Sequence, residues 1–420
     1  MRIVFFANSP GEIYSWVRPT VKEIRAMVPE VEIAVVNPPC QWRSGREGAV
    51  LDRLPGIDRV IGPLEYLKYI VRPGSIPWLG EKKEGTVIIY MGGENIYPLL
   101  LKRRIGAPIL AYEYAGRHWT DGIDHIFVST KQAADELDRL GAKPGRIEIG
   151  GDLMLDAVVT ELDDARIEWG VGANERVVSL YPGSRPYELK YFTPFLLRTA
   201  EILSKEIEGL RFFLSLSPFA TLQQLEGYIS CFRDEYIEGT TGRVSTRGAL
   251  PAVYTENGTV VEIIKDHQYD LMKASDLMIT IPGTKTMEAA GLGTPMVVIA
   301  PLNKAEEIVI SGPRGLISML PIIGKPLKRA IIKKLAARYP YTALPNMRVG
   351  RFVVPEVRGI ISALQVAEEA MKQLENPEEL QRISGELKEI AGAKGAARKI
   401  AAAAVEMAGE QHPAGTVPSS

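Results

Sequence analysis

Two successive α/β domains, each built on a mostly parallel sheet, are what this chain predicts, and three observations carry the expectation. Short apolar, partly β-branched runs alternate with longer helix-like stretches, the signature of strand-helix-strand units. The alternation changes around Gly150 to Gly170 and then begins again. At 420 residues the chain also exceeds what one ordinary core accommodates.

In the first half, Ile3 to Ala7, Val31 to Val36, Thr86 to Tyr90, Ile109 to Ala111, His125 to Val128 and Ile147 to Ile149 read as strands, with Val17 to Met27 and Lys131 to Leu140 helical. The first strand delivers Ser9-Pro10-Gly11-Glu12 to its carboxyl end, where ligands bind in open α/β sheets. There Glu12 holds a sugar hydroxyl or acts as a base, or else simply lies near a helix dipole. After the strand ending at Tyr90 comes Met91-Gly92-Gly93-Glu94-Asn95. Gly92 and Gly93 permit close backbone approach, while Glu94 and Asn95 supply a base candidate and an amide; the plain alternative is a turn. The Pro/Gly-broken stretch Tyr69 to Gly80, with Ile76 and Trp78, either touches a lipid or partner or packs beneath a neighbouring helix. His118, within the aromatic-rich Tyr112 to Trp119, is a general-base candidate or a structural histidine.

The second half repeats the pattern with strands Val177 to Tyr181, Phe212 to Leu216, Thr259 to Val261, Leu277 to Ile281 and Met296 to Ile299. Its first strand ends in Gly183-Ser184-Arg185-Pro186-Tyr187-Glu188, where Gly183 and Ser184 allow an anion-holding turn, Arg185 suits bidentate phosphate binding and Glu188 orients it. The chain is organised around Ala274 to Pro301: two buried strands flank a turn in which Gly283 and Thr284 open a helix. Unpaired amides and a positive dipole end at that point suit a diphosphate. Glu288, one turn further in, accepts from ribose hydroxyls or is a solvated glutamate, and Thr286 on the same helix is a further binding candidate. Two anion-friendly turns in one domain are a stronger signal than either alone. From these patterns the domains are expected at 1–165 and 166–350, with helices over 351–409 and a disordered tail at 410–420.

Composition limits the function classes. Net charge is −1, so no global electrostatic case exists for nucleic acid. Cys40 and Cys231 lie far apart without CxxC spacing, which argues against a disulfide framework or a zinc site and fits a reducing cytoplasm. No run approaches the length of a spanning helix, so any membrane contact is expected to be peripheral. The basic-apolar stretch Ile308 to Lys334, with Arg314, Lys325, Lys328, Arg329 and Lys333, either rests on an anionic bilayer or forms a solvated amphipathic helix.

The segments LYPGSRPYE, ASDLMITIPGTKTMEAAGLGTPMVV, and Leu344-Pro345-Asn346 followed by Val353-Val354-Pro355-Glu356 together resemble the lipid-A-disaccharide synthase family. That family carries an LPGSR-x-x-E turn, an S-D-x-x-x-x-x-SGT-x-x-x-E segment and a late PN…G-R-x-x-x-PE stretch in the same order. The likeness spans most of the chain and includes Pro10-Gly11-Glu12. It implies a type-B glycosyltransferase (GT-B) fold: two facing Rossmann-like domains, a UDP-sugar in the carboxy-terminal one, a lipid-linked or acylated sugar acceptor in the amino-terminal one, no metal or cofactor, and terminal helices that pack back across the first domain. By the same resemblance Ser184 and Arg185 meet the diphosphate with Gly283 and Thr284, Glu288 meets the ribose, and Asn346 the donor region. The expected location is cytoplasmic, either free or peripheral on the inner face of the cytoplasmic membrane, and the terminal helices are candidates for a homodimer contact. Where the family has D-x-P-D-F-N this chain reads YMGGENIY, so Glu94 is the nearest acid and Asn95 matches the asparagine. The serine of SGT is Pro282 here, and Arg358-Gly359 replaces a glutamine after the PE stretch.

The leading expectation is therefore an inverting transferase with Glu94 or Glu12 as base. Alternatives are a non-hydrolysing UDP-GlcNAc 2-epimerase-like isomerase, which needs acids and a histidine around C2 of the sugar, and a nucleotide-sugar-binding relative that has lost catalysis.

Overall fold

The structure, a computed structural model, describes residues 1–40, 44–113, 121–143, 145–305, 328, 331–332, 334 and 338–410. His118, nearly all of the basic-apolar stretch 308–334 and the tail from residue 411 lie outside the described residues.

The chain forms two compact units, Met1–Ala157 with Ala393–Ser420, and Val158–Gly392. In the first, strands β1 (Arg2–Phe6), β2 (Glu32–Val36), β3 (Arg59–Ile61), β4 (Thr86–Tyr90), β5 (Ile109–Glu113), β6 (His125–Val128) and β7 (Ile147–Ile149) make one sheet in the order β3-β2-β1-β4-β5-β6-β7. Every pairing is parallel. Helices on both faces bury β1 and β4 completely, which is why these strands are continuous apolar runs rather than alternating ones.

The second unit carries β8 (Arg176–Tyr181), β9 (Leu210–Leu216), β10 (Gly242–Ser245), β11 (Ala252–Thr255), β12 (Val260–Lys265), β13 (Leu277–Thr280), β14 (Met296–Pro301) and β15 (Glu356–Gly359), in the order β10-β11-β12-β9-β8-β13-β14-β15. Only the β10-β11 and β11-β12 pairs are antiparallel. Both sheets are thus doubly wound, with a reversal of strand order at β1/β4 and at β8/β13.

Two expectations about domain boundaries are corrected. The break falls after Ala157 rather than after residue 165. The reason is local: the amides of Glu161 and Leu162 donate to the buried Asp270 carboxylate at 2.8 and 2.9 Å, which ties the connecting segment to the second unit. Nor do all the terminal helices return to the first unit. Ala363–Leu374 packs on the long helix Pro186–Glu206, and Pro377–Ala391 on the helix Thr284–Leu292. Ala396–Gly409 alone joins the first unit, along the helix Arg18–Met27. Its alanine-rich buried face allows close approach, and the Asp156 carboxylate accepts from the amides of Gly395 and Ala397 at 2.6 and 2.7 Å, neutralising the helix start.

Strands β3, β10, β11 and β15 had no counterpart in the sequence reading. Each has only three or four residues, and β15 is half-buried throughout, so neither length nor apolar periodicity marks them. Within Tyr69 to Gly80, Tyr69, Ile76, Trp78 and Leu79 pack against the core, whereas Val71 to Gly74 are exposed. The guanidinium groups of Arg2 and Arg59 lie over the Trp78 ring, 4.1 and 5.0 Å from its centroid, and Arg2 itself is buried against Glu32 and Glu81.

Candidate functional site

Reversal points of doubly wound sheets leave a crevice outside the carboxyl ends of the flanking strands, where ligands sit. In both units the loops singled out in the sequence occupy that place. In the first unit they are Ser9-Glu12 after β1 and Met91-Asn95 after β4; in the second, Gly183-Glu188 after β8 and Pro282 with Gly283 and Thr284 after β13.

In the first unit, Pro10 occupies the opening helical position, and a π-helical turn, Ile13–Val17, follows before the regular helix resumes at Arg18. Pro19 has no amide proton to give the Ser15 carbonyl, so the chain widens by one residue there and Arg18 donates to Ile13 instead. Glu12 turns back on the strand end: its Oε2 accepts from the amides of Asn8 and Ser9 at 2.9 and 3.1 Å. The same carboxylate lies against Gly92, where an added Cβ would fall 1.9 Å from its Cδ. Gly93, at φ 88°, likewise leaves room for the Asn8 amide, 2.3 Å from an added Cβ. Glycine at these two positions is what lets the β1 and β4 loops meet. Gly11 is half-buried within the first turn, and Asn95 occupies the N-cap position of the helix Ile96–Ile105 in αR geometry, its side chain making no capping hydrogen bond.

The two acids therefore differ. Glu12 is held by backbone amides as a helix-start carboxylate, which argues against its role as a base, whereas Glu94 is exposed. Burial, and then the Glu94 charge, raise the pKa of the neighbouring Tyr97 hydroxyl, so that group remains a neutral donor beside the carboxylate.

In the second unit Glu188 repeats the arrangement. Its Oε2 accepts from the amides of Ser184 and Arg185 at 2.8 and 2.9 Å, and its Oε1 from the Arg185 guanidinium at 2.6 Å and the Tyr187 hydroxyl at 3.1 Å. Burial works against the Arg185 charge, but Glu188 outweighs it and raises the guanidinium pKa. Arg185 is a fixed cation whose side chain remains one-quarter exposed. Gly183, at φ 108°, abuts both Glu188 and Ile281, whose Cδ1 is 2.7 Å from an added Cβ, so the turns after β8 and β13 adjoin. Gly283 is exposed at φ 144°, a conformation that favours glycine, and opens the helix Thr284–Leu292. Thr286 is buried, donating to the Gly283 carbonyl at 2.8 Å and accepting from the Leu344 amide at 3.1 Å. Glu288 is fully buried and paired with Lys285 at 2.6 Å. That burial excludes the alternative of a solvated glutamate. The sequence reading did not include Asn8 or Lys285. The i,i+3 spacing of Lys285 and Glu288 is a legible helix signal, while Asn8 carries none.

No protein-family model matches the chain. A lipid-A-disaccharide synthase of Geobacter sulfurreducens is 26% identical over 253 residues, 59% of this chain and 53% of that one. Others of the same description reach 24–29% identity. The chain is a divergent relative of the lipid-A-disaccharide synthases. It spans about half the length of the curated relatives it matches. Among solved structures, a Neisseria meningitidis UDP-GlcNAc 2-epimerase bound to UDP-GlcNAc superposes with TM-score 0.51 at 13% identity, over 97% of this chain and 99% of that one. MurG of Acinetobacter baumannii gives TM-score 0.50 at 12% identity, over 95% and 98%. At such identities the likeness concerns the fold, which is that of the GT-B glycosyltransferases and related epimerases.

In this divergent synthase relative the late Pro-Asn and Pro-Glu segments form one internal knot. Asn346 is fully buried: its Nδ2 donates to the Val354 carbonyl and Glu356 at 2.9 and 2.8 Å, and its Oδ1 accepts from Val353 and Val354 at 2.8 and 3.0 Å. All four hydrogen-bonding functions of the amide are engaged, which corrects the expectation that it contacts the donor. Glu356 also accepts from the amides of Thr342 and Ala343, and Arg358 donates to the carbonyls of Tyr339 and Pro340. The knot meets the site through Thr286, which receives the Leu344 amide.

Proposed function

We propose that the chain is an inverting glycosyltransferase that moves a hexosaminyl-type sugar from a UDP-sugar to a lipid-linked or acylated sugar. The observation that carries this reading is the adjacency of the Gly183 and Ile281 turns at the reversal of the second sheet, with Arg185 fixed beside them and a helix opening at Gly283. Amides, a dipole end and a guanidinium stabilise a departing diphosphate without a proton donor. The similarity to synthases, and a fold neighbour bound to UDP-GlcNAc, support the donor class.

Glu94 is the base assigned to the acceptor hydroxyl, because it is exposed while Glu12 is held by amides. A surface of the same unit supports a lipid-bearing acceptor. On the helix Pro63–Val71, Leu64, Leu67 and Val71 form an i, i+3, i+7 stripe exposed by 83%, 39% and 86%, flanked by the exposed Lys68 and Arg72. Such a face suits peripheral contact with an anionic bilayer. No helix among the described residues is long and apolar enough to cross one.

The test is UDP release by purified protein offered UDP-GlcNAc and acylated glucosamine phosphates, with product stereochemistry read by NMR. Formation of the C2 epimer of the sugar nucleotide without any glycosidic product would replace this reading with the epimerase one, which the fold likeness also admits.

A further inference from the structure

The amino ends of β13 and β14 carry a groove that the site at the opposite strand ends does not use. It holds about 580 Å³, with Lys273, Asp276, Ser384 and Lys388 in its lining and Leu292 and Leu380 as apolar walls. The helix Thr284–Leu292 opens at the Gly283 turn and ends at this groove, about 13 Å away along its axis. The two are therefore separate places on one unit.

Both lysines stand in the last turn of a helix, Lys273 in Gln268–Ala274 and Lys388 in Pro377–Ala391. A lysine there ordinarily serves the unpaired carbonyls of the helix end. Here other groups already do so. The carbonyls of Leu271, Met272 and Ala274 accept from Ser275 Oγ, Thr294 Oγ1 and Arg166 at 2.6, 2.8 and 3.1 Å. Those of Ile390 and Ala391 accept from Arg348 at 3.2 and 3.3 Å. Asp276 is neutralised by Arg166 at 3.0 Å and accepts from the Val177 amide at 2.6 Å. Among the described residues neither ammonium group has an ion-pair or hydrogen-bond partner. Gly293, at φ 72°, brings the last helix face close: an added Cβ would fall 2.4 Å from Lys388 Cε and 2.8 Å from Ser384 Oγ. The Lys388 stem thus rests on the groove wall beside a hydroxyl.

Two unpaired cations and a neutralised carboxylate leave the groove net positive. Each ammonium is a compact charge with three donors, suited to phosphate oxygens. The volume is that of a small organic ligand rather than of a bare ion, and the short apolar walls call for a compact body. We propose that this groove binds a soluble phosphate monoester, its phosphate held by Lys273 and Lys388, at a site apart from the UDP-sugar turns.

Calorimetry on the full chain saturated with UDP tests it with three probes: glucose 6-phosphate, inorganic phosphate and glucose. Expected is binding of both phosphates, tighter for the ester and weakened by added NaCl, with none of glucose. Lys273→Ala and Lys388→Ala should each lower the affinity about 5-fold and together about 25-fold, with melting temperature and UDP affinity unchanged. No binding to wild-type protein, or equal affinity in the double variant, overturns the site. So does loss of binding in Arg185→Ala rather than in the lysine pair, which would put the phosphate at the strand-end turns. Lysine-dependent sedimentation with phosphatidic acid vesicles, with neither soluble phosphate bound, would replace the soluble ligand by a bilayer. If UDP itself does not bind, the donor reading fails, and the same titrations without UDP still decide the groove.

Discussion

The strand-end turns of the two units, Ser9-Pro10-Gly11-Glu12 and Arg185-Pro186-Tyr187-Glu188, are built alike and used differently. Each follows the first strand of its unit, puts proline at the first helical position, and folds a glutamate back onto the two preceding amides. Proline costs nothing there, since its missing amide proton would have had no helical partner. The difference lies in the other side of each carboxylate. Glu12 rests on Gly92 of the neighbouring loop, whereas Glu188 binds Arg185 and Tyr187 from its own turn. The shared glutamate is thus a device of helix initiation. Chemistry has to come from what each turn adds: an exposed acid near by in the first unit and a fixed cation in the second.

The sharpest way to break that comparison is to exchange the two acids of the first unit. Glu94→Gln should lower kcat by about 10²- to 10⁴-fold with stability unchanged, whereas Glu12→Gln should keep most of the activity. The reverse pattern in steady-state UDP release would restore Glu12 as the base. Next in size is Glu188→Ala, which strands the Arg185 charge and two amides. A stability loss of about 3–5 kcal/mol in urea unfolding is expected, against about 1 kcal/mol for Glu12→Ala, which removes a helix-start carboxylate. Equal losses would mean that Arg185 contributes nothing to holding the second turn. Gly92→Ala comes third: its methyl group enters the Glu12 carboxylate, so about 1–3 kcal/mol should be lost, and Glu12→Ala in the same chain should recover part of it. Strict additivity of the two substitutions would show that the loops do not meet.

The smallest effect lies away from both turns and serves as a control. A hydrogen bond from Lys83, with Arg2 adding to it against the cost of burial, lowers the Glu32 pKa from 4.5 to about 2. A carboxylate with a depressed folded pKa contributes stability above its unfolded value and loses it as pH falls through the folded one. Unfolding curves between pH 4.5 and about 2 should therefore flatten in Glu32→Gln, modestly because the side chain is 42% exposed. No change in that window would place the network's contribution in packing rather than charge.

What the sequence alone determined is everything local in origin. Buried parallel strands must be apolar on both faces, so most of the long strands, the α/β class and the turns at their ends were readable from runs and punctuation. Short edge strands such as β3 and β15 were not, since three or four half-buried residues have no periodicity to detect. Tertiary structure decided which polar residues remain available. Glu94 and Glu12, or Asn346 and Thr286, look equally functional in a string of letters. Whether a carboxylate or amide is exposed or already saturated depends on amides and carbonyls brought to it by other segments, as Val353 and Val354 are brought to Asn346. The same holds for the last helix. Its alanines foretold close packing, but Asp156, more than two hundred residues earlier in the chain, selects the surface on which that helix comes to rest.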